Sequence, residues 1–170
     1  FRPLAFDYPE DEVAAEVEDQ LMVGEALMIA PIYTQNANGR YVYLPEDMVA
    51  IRLSSPETRE YIPMKKGHHY ISAKLNQMLF FVRKDSAFVL GKAAHSTNDM
   101  NFEELEVICN VENKATYCHY SDDGFTKDYE SPNHYTDISI TREKDGTLSL
   151  KQSNSEVKLA ITDITSRNKE

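Results

Sequence analysis

The first apolar positions of the chain repeat at helical spacing. Val13, Val17 and Leu21 recur every four residues, which places them on one stripe of a helix. Pro9, Glu10, Asp11 and Glu12 precede the stripe, with proline and negative charge where a helix N-terminus favours both, and Gly24 follows at the place of a C-cap. Beyond Gly24 the pattern changes to short apolar or alternating runs. They cover residues 27–33, 41–44, 50–53, 60–64, 69–75, 78–83 and 87–90, and turn residues such as Asn38-Gly39, Ser54-Ser55-Pro56 and Lys66-Gly67 separate them. A second group follows at 105–111, 115–120, 135–141, 147–151 and 157–161, with turns at Asp123-Gly124 and Asp145-Gly146. Strand after strand at short spacing predicts an all-β fold, an antiparallel β-sandwich with a smaller distal β domain and a short N-terminal helix. The polar stretch 91–101 reads as the linker, so the expected division is 1–24, then 25–92 for the sandwich, then 97–165 for the distal domain.

Composition narrows the partners. A chain of 170 residues can bury one sizeable core or two small ones, and its net charge of −10 argues against nucleic acid or an anionic membrane surface. No apolar run approaches the roughly 18 residues of a membrane span. No export signal is visible and two cysteines are few, which makes the cytoplasm the expected location.

The cysteines fall on neighbouring predicted strands. If Asn113-Lys114 form a two-residue turn, Cys109 and Cys118 lie opposite each other on one face; a reduced core pair is expected, with a bridge as the alternative. His68 and His69 are adjacent and point to opposite faces of a strand, which suits a shared metal poorly. His95, His119 and His134 are scattered, with no Cys or carboxylate at zinc-site spacing. Asp122, Asp123, Asp128 and Glu130 gather around Gly124, as calcium ligands would, yet Asp-Asp-Gly is also what a tight turn asks for. Tyr41, Tyr43, Tyr117, Tyr120, Tyr129 and Tyr135 offer rings for stacking a sugar, although strand aromatics mostly pack against one another, and tryptophan is absent.

Several short motifs, in order, carry a resemblance. Arg2-Pro3-Leu4, Asp19-Gln20-Leu21 with Gly24, and Leu27-Met28-Ile29-Ala30-Pro31 come first. Asn38-Gly39-Arg40-Tyr41-Val42-Tyr43-Leu44-Pro45, Lys66-Gly67-His68-His69-Tyr70, Leu79-Phe80-Phe81-Val82-Arg83 and Tyr120-Ser121-Asp122-Asp123-Gly124-Phe125-Thr126 follow. Together the series resembles the region just downstream of the catalytic barrel in glycoside hydrolase family 31, the α-glucosidase and α-xylosidase family. It departs from the family pattern at Met78, where a proline is usual, and over residues 84–89. The resemblance implies an accessory region that braces the catalytic (β/α)8 barrel of a parent enzyme and carries no catalytic, cofactor or metal residues of its own. The barrel is then the expected partner, with carbohydrate as a second candidate and a homodimer through the barrel-facing surface as a third. That surface is expected to expose Val13, Val17, Leu21 and Leu27-Met28-Ile29. Asn98-Asp99-Met100-Asn101 matches the core of the family's nucleophile motif, but it lies in the linker and lacks the preceding barrel strand, so Asp99 is expected to be a solvated residue. The rival readings are a free-standing carbohydrate-binding β module and a small hydrolase built on Asp99.

Overall fold

In the computed structural model, which describes residues 1–96 and 99–165, the chain begins with β1 (Arg2–Pro3), α1 (Leu4–Asp7) and α2 (Glu12–Glu16). Asp11 caps α2, its carboxylate accepting from the Val13 and Ala14 N–H groups at 3.1 Å each. The helix then stops at Val17, whose backbone is extended. The stripe expected through Leu21 is therefore broken. Ala14 is the residue that α2 buries, Val13 is exposed, and Leu21 opens β2 (Leu21–Val23). Strand pairing is the reason: Leu21–Val23 is bonded on one side to β1 and on the other to β3 (Leu27–Ile29), which outweighs a short helical period. Gly24, expected as a helix cap, instead takes φ +58° between β2 and β3.

Five further strands complete the first unit: β4 (Gly39–Leu44), β5 (Met48–Leu53), β6 (Arg59–Met64), β7 (Gly67–Ser72) and β8 (Met78–Arg83). Six strands form one sheet in the order β1-β2-β3-β8-β5-β6, while β4 and β7 make a separate two-stranded ribbon. Register sets Met22, Met28, Phe81, Ala50 and Ile62 in one row across the sheet. That row packs in one core with Val42, Leu44 and Ile71 of the ribbon, and with Leu4 and Ala14 of the N-terminal segment. Met28 is thus a core residue and no part of an exposed patch. The exposed apolar side chains of the N-terminal segment are Phe1, Phe6 and Val13.

Asn38-Gly39 does not close a hairpin between consecutive strands, because β4 pairs with β7 across the intervening β5 and β6. Glycine is needed there for another reason. A Cβ at Gly39 would stand 2.3 Å from the Ile71 carbonyl oxygen and 2.8 Å from Ser72 Cα.

The second unit holds β9 (Ser86–Gly91), β10 (Glu104–Asn110), β11 (Lys114–Tyr120), β12 (Tyr135–Arg142), β13 (Leu148–Gln152) and β14 (Lys158–Asp163). Its sheets run β14-β10-β9 and β11-β12-β13, and β10 pairs with β14 in parallel, the others antiparallel. Ala87, Val107, Cys109, Ala115, Ile138 and Ile140 share its core. The division falls between Lys84 and Asp85, and Ile164 and Thr165 belong with the first unit. The stretch expected as the linker starts where β9 ends at Gly91, and β10, which begins at Glu104, is the antiparallel partner of β9. Asp85 opens the second unit at φ +50°, and its carboxylate accepts from the Glu112 and Asn113 N–H groups at 2.8 and 2.7 Å.

Cys109 and Cys118 are both free and do not face each other. β10 is paired with β9 and β14, and β11 with β12, so the two cysteines stand in different sheets. Cys109 is buried and its thiol is pushed up to about 12 by that burial, whereas Cys118 is exposed.

Candidate functional site

Within the first unit, basic side chains hold the acidic N-terminal segment in place. Arg2 Nη2 donates to Asp7 Oδ1 at 2.7 Å, and Arg83 of β8 lies 4.0 Å from the same oxygen. Arg83 Nε also donates to Glu46 Oε1 at 3.1 Å, and its guanidinium stands 5.1 Å from the centre of the Tyr8 ring. Burial, then the nearby Glu46 carboxylate, push the Tyr8 hydroxyl upward, so it stays protonated.

Asp11 is the second tie. Besides capping α2, it accepts from Tyr43 Oη at 2.7 Å and from Lys66 Nζ at 2.8 Å. The Lys66 and Tyr43 hydrogen bonds hold its carboxyl down to about 2. A folded-state value below the unfolded one, about 3.9, means that Asp11 stabilises the fold above roughly pH 4 and that this contribution fades as pH falls toward 2. Asp11→Asn is therefore expected to flatten the acid limb of stability in that window. Urea denaturation at a series of pH values checks it, and an acid limb as steep in the variant as in the parent chain contradicts it.

These groups border an open cavity of about 550 Å³, lined by residues 7–13 with Pro45 and Lys66. The acid of a glycosidase pair needs a raised carboxyl pKa. Asp11 is moved the other way. Asp47, paired with Lys65 at 2.7 Å, is likewise lowered, first by that hydrogen bond.

Buried Gln20 ties β4 to the core. Its Nε2 donates to the Tyr43 carbonyl and its Oε1 accepts from the Tyr43 N–H, both at 2.7 Å. Arg40 makes a similar hub at the other end of β4. It donates to the carbonyls of Asp19, Pro31 and Tyr41, pairs with the Asp19 carboxylate, and lies 5.9 Å from the centre of the Tyr33 ring. Neither role is written in strand periodicity. The trace available in the sequence is a glutamine placed between the acidic pair Glu18-Asp19 and the apolar run Leu21, Met22 and Val23.

The outer face of the β4–β7 ribbon carries aromatic rings in register. Tyr41 is opposite Tyr70, with ring centres 5.2 Å apart in an edge-on arrangement. Tyr43 is opposite His68 at 4.9 Å. Tyr41 and Tyr70 are 73% and 58% exposed, whereas Tyr43 is covered and turns its hydroxyl to Asp11. Tyr70 was not among the tyrosines singled out from sequence; as the cross-strand partner of Tyr41 it becomes visible only once β4 and β7 are paired.

Of the remaining residues singled out from sequence, Tyr120, Asp122, Tyr129, His134 and Tyr135 meet in the second unit, and the others are scattered. Asp99 is exposed and accepts from Ser96 Oγ at 2.8 Å, while Asn98 of the same motif lies outside the described residues. Asp122 accepts from the Gly124 N–H at 2.7 Å and from the Tyr120 hydroxyl, and Asp123 from the Phe125 and Thr126 N–H groups at 2.9 and 2.8 Å. Those carboxylates serve the turn itself. Among the described residues no group of three or more His, Cys, Asp or Glu side chains could hold a metal. His69 is half-buried and bonds the Lys65 carbonyl at 2.7 Å; His95 is exposed; His134 packs against Tyr120. His119 is buried, and that burial lowers its pKa. Tyr117 packs on the second core, and Tyr120 and Tyr135 stack edge-on, with the Tyr135 hydroxyl donating to the Tyr129 carbonyl.

Residues 1–88, just over half of the chain, match the model of the glycosyl hydrolase family 31 C-terminal domain. The chain belongs to glycosyl hydrolase family 31. Its family 31 relatives include α-glucosidase 2 of Bacillus thermoamyloliquefaciens, 37% identical over 131 residues, a match that covers 76% of this chain and 16% of that protein. The α-xylosidase of Saccharolobus solfataricus is 25% identical over 147 residues, covering 85% of this chain and 19% of that protein. Among solved structures, the family 31 α-xylosidase of Xanthomonas citri has the same fold at a TM-score of 0.69 and 23% identity, over 95% of this chain and 18% of that one. The glucosidase II α subunit bound to α3-Glc2 has it at 0.71 and 18% identity, over 97% of this chain and 18% of that one. The chain thus spans less than a fifth of the length of these family 31 proteins, where the matching stretch is one part of a much longer polypeptide.

Proposed function

We propose that this chain is a non-catalytic accessory region that braces the catalytic barrel of a longer family 31 α-glucosidase. The observation that carries the reading is the match of residues 1–88 to the family's C-terminal domain. The strand pairings agree with it: among the described residues β10 and β14 are the one parallel pair, and a (β/α)8 barrel needs eight parallel strands to hold its catalytic residues. The paired, lowered Asp11 at the cavity is poorly suited to donate a proton to a leaving sugar. Phe1, Phe6 and Val13 leave apolar groups at the surface of the N-terminal segment, as a face that meets a neighbouring domain does. The parent would cleave terminal α-glucosidic bonds with retention through a pair of carboxylates supplied by its barrel.

The test is hydrolysis of an aryl α-glucoside by the purified chain and by its Asp99→Asn variant. Neither is expected to exceed the buffer rate. Turnover by the chain that disappears in Asp99→Asn would replace this reading with a small hydrolase.

A further inference from the structure

We propose that the outer face of the β4–β7 ribbon, from the Tyr41–Tyr70 ring pair to the cavity at Pro45 and Lys66, binds a short neutral α-glucan such as a di- or trisaccharide. The choice of α-linked glucose rests on the α-glucosidase reading above; the choice of a sugar rests on the face itself.

Tyr41 and Tyr70 are held on paired strands with their rings largely in solvent. Exposed rings gain little from burial, yet these two meet edge-on across the paired strands with their centres 5.2 Å apart. Arg40 binds the backbone carbonyl of Tyr41 at 3.0 Å and ties that strand to Asp19 and Pro31, which anchors the backbone beneath the rings. Rings that pack against each other on an anchored backbone give up less freedom when a ligand stacks on them. Exposed His68 continues the same face by one register step, and the ribbon ends at the open cavity, where exposed Glu10 and Glu12 present carboxylates. The C–H face of a pyranose suits the rings, and its hydroxyls are donors for those carboxylates.

Charge and size speak against an anionic ligand and against a protein partner. A phosphorylated or sulfated ligand meets the acidic residues of the cavity and a chain of net charge −10. From Tyr41 to Pro45 the strip is about 13 Å long at roughly 3.3 Å per residue, and two strands wide at about 5 Å. That is far below the ~800 Å² per partner of a stable protein interface.

The experiment is a titration of the isotope-labelled chain with maltotriose, followed by amide NMR. Saturable shifts at millimolar sugar are expected in β4, in β7 and at residues 7–13. Tyr41→Ala and Tyr70→Ala should each weaken binding about tenfold, the worth of one lost ring contact, with the rest of the spectrum unchanged. Tyr135→Ala, in the second unit, should bind as the parent chain does. No shifts at about 20 mM sugar, well beyond a millimolar Kd, would overturn the proposal. So would shifts that map elsewhere, or undiminished binding by both ribbon variants. Failure here leaves the accessory reading standing, since that rests on the family match, while hydrolysis by the purified chain would remove the accessory reading and leave this face intact.

Discussion

Gln20→Leu is expected to destabilise the chain by about 2–6 kcal/mol, because it strips two buried backbone groups of their partners and each such loss costs about 1–3 kcal/mol. Gln20 is 2% exposed, and its amide binds both the N–H and the carbonyl of Tyr43. It acts as a one-residue strand, bonding the edge of β4 that faces away from β7. Leucine has nearly the same volume, so packing alone predicts a small change. The difference between the two expectations makes the measurement informative. Urea denaturation of the variant should give a much lower midpoint; a midpoint unchanged from the parent chain would mean that water or another side chain serves Tyr43. Gln20→Glu is a sharper companion, since it keeps the acceptor but removes the donor to the Tyr43 carbonyl.

Gly39→Ala should be nearly as damaging, by about 3 kcal/mol at the upper end of what overpacking costs. The added methyl would meet the Ile71 carbonyl at 2.3 Å and Ser72 Cα at 2.8 Å, and neither is a flexible side-chain tip that can move aside. β4 and β7 have to separate at this end. The third close atom, the Tyr70 hydroxyl at 2.9 Å, can swing away. The stability loss should therefore come with altered amide signals for Ile71 and Ser72 as well as for Tyr70. An alanine variant as stable as the parent chain, with those signals unmoved, would contradict the close backbone approach.

The strands were legible from alternation and turn residues because a half-buried strand imposes its period directly on the sequence. Gly124 and Gly146 mark turns at positive φ, as their Asp-Gly pairs predict. Pairing order was harder to read. Asn38-Gly39 looks like a hairpin, and only the long return of the chain through β5 and β6 brings Ile71 against Gly39. The opposed cysteines failed for the same reason, since β10 and β11 are neighbours in sequence but not in a sheet. The N-terminal helix was half right: Asp11 starts it as the Pro9–Glu12 run implies, but Val17 is pulled into extended backbone ahead of β2. At the candidate site, Asp11 and Lys66 are 55 residues apart and Tyr41 and Tyr70 come from different strands. No local spacing encodes either meeting, because both are products of the fold.

The central claim is that this chain acts as one part of a longer family 31 glycosidase, and the mass of the native polypeptide tests it most directly. An antibody raised against the chain, used on an extract of the source cells, should detect a species larger than 19.4 kDa by at least the roughly 250 residues of a (β/α)8 barrel. A single band at 19.4 kDa would contradict the account and leave a free-standing β module to be explained by its tyrosine face.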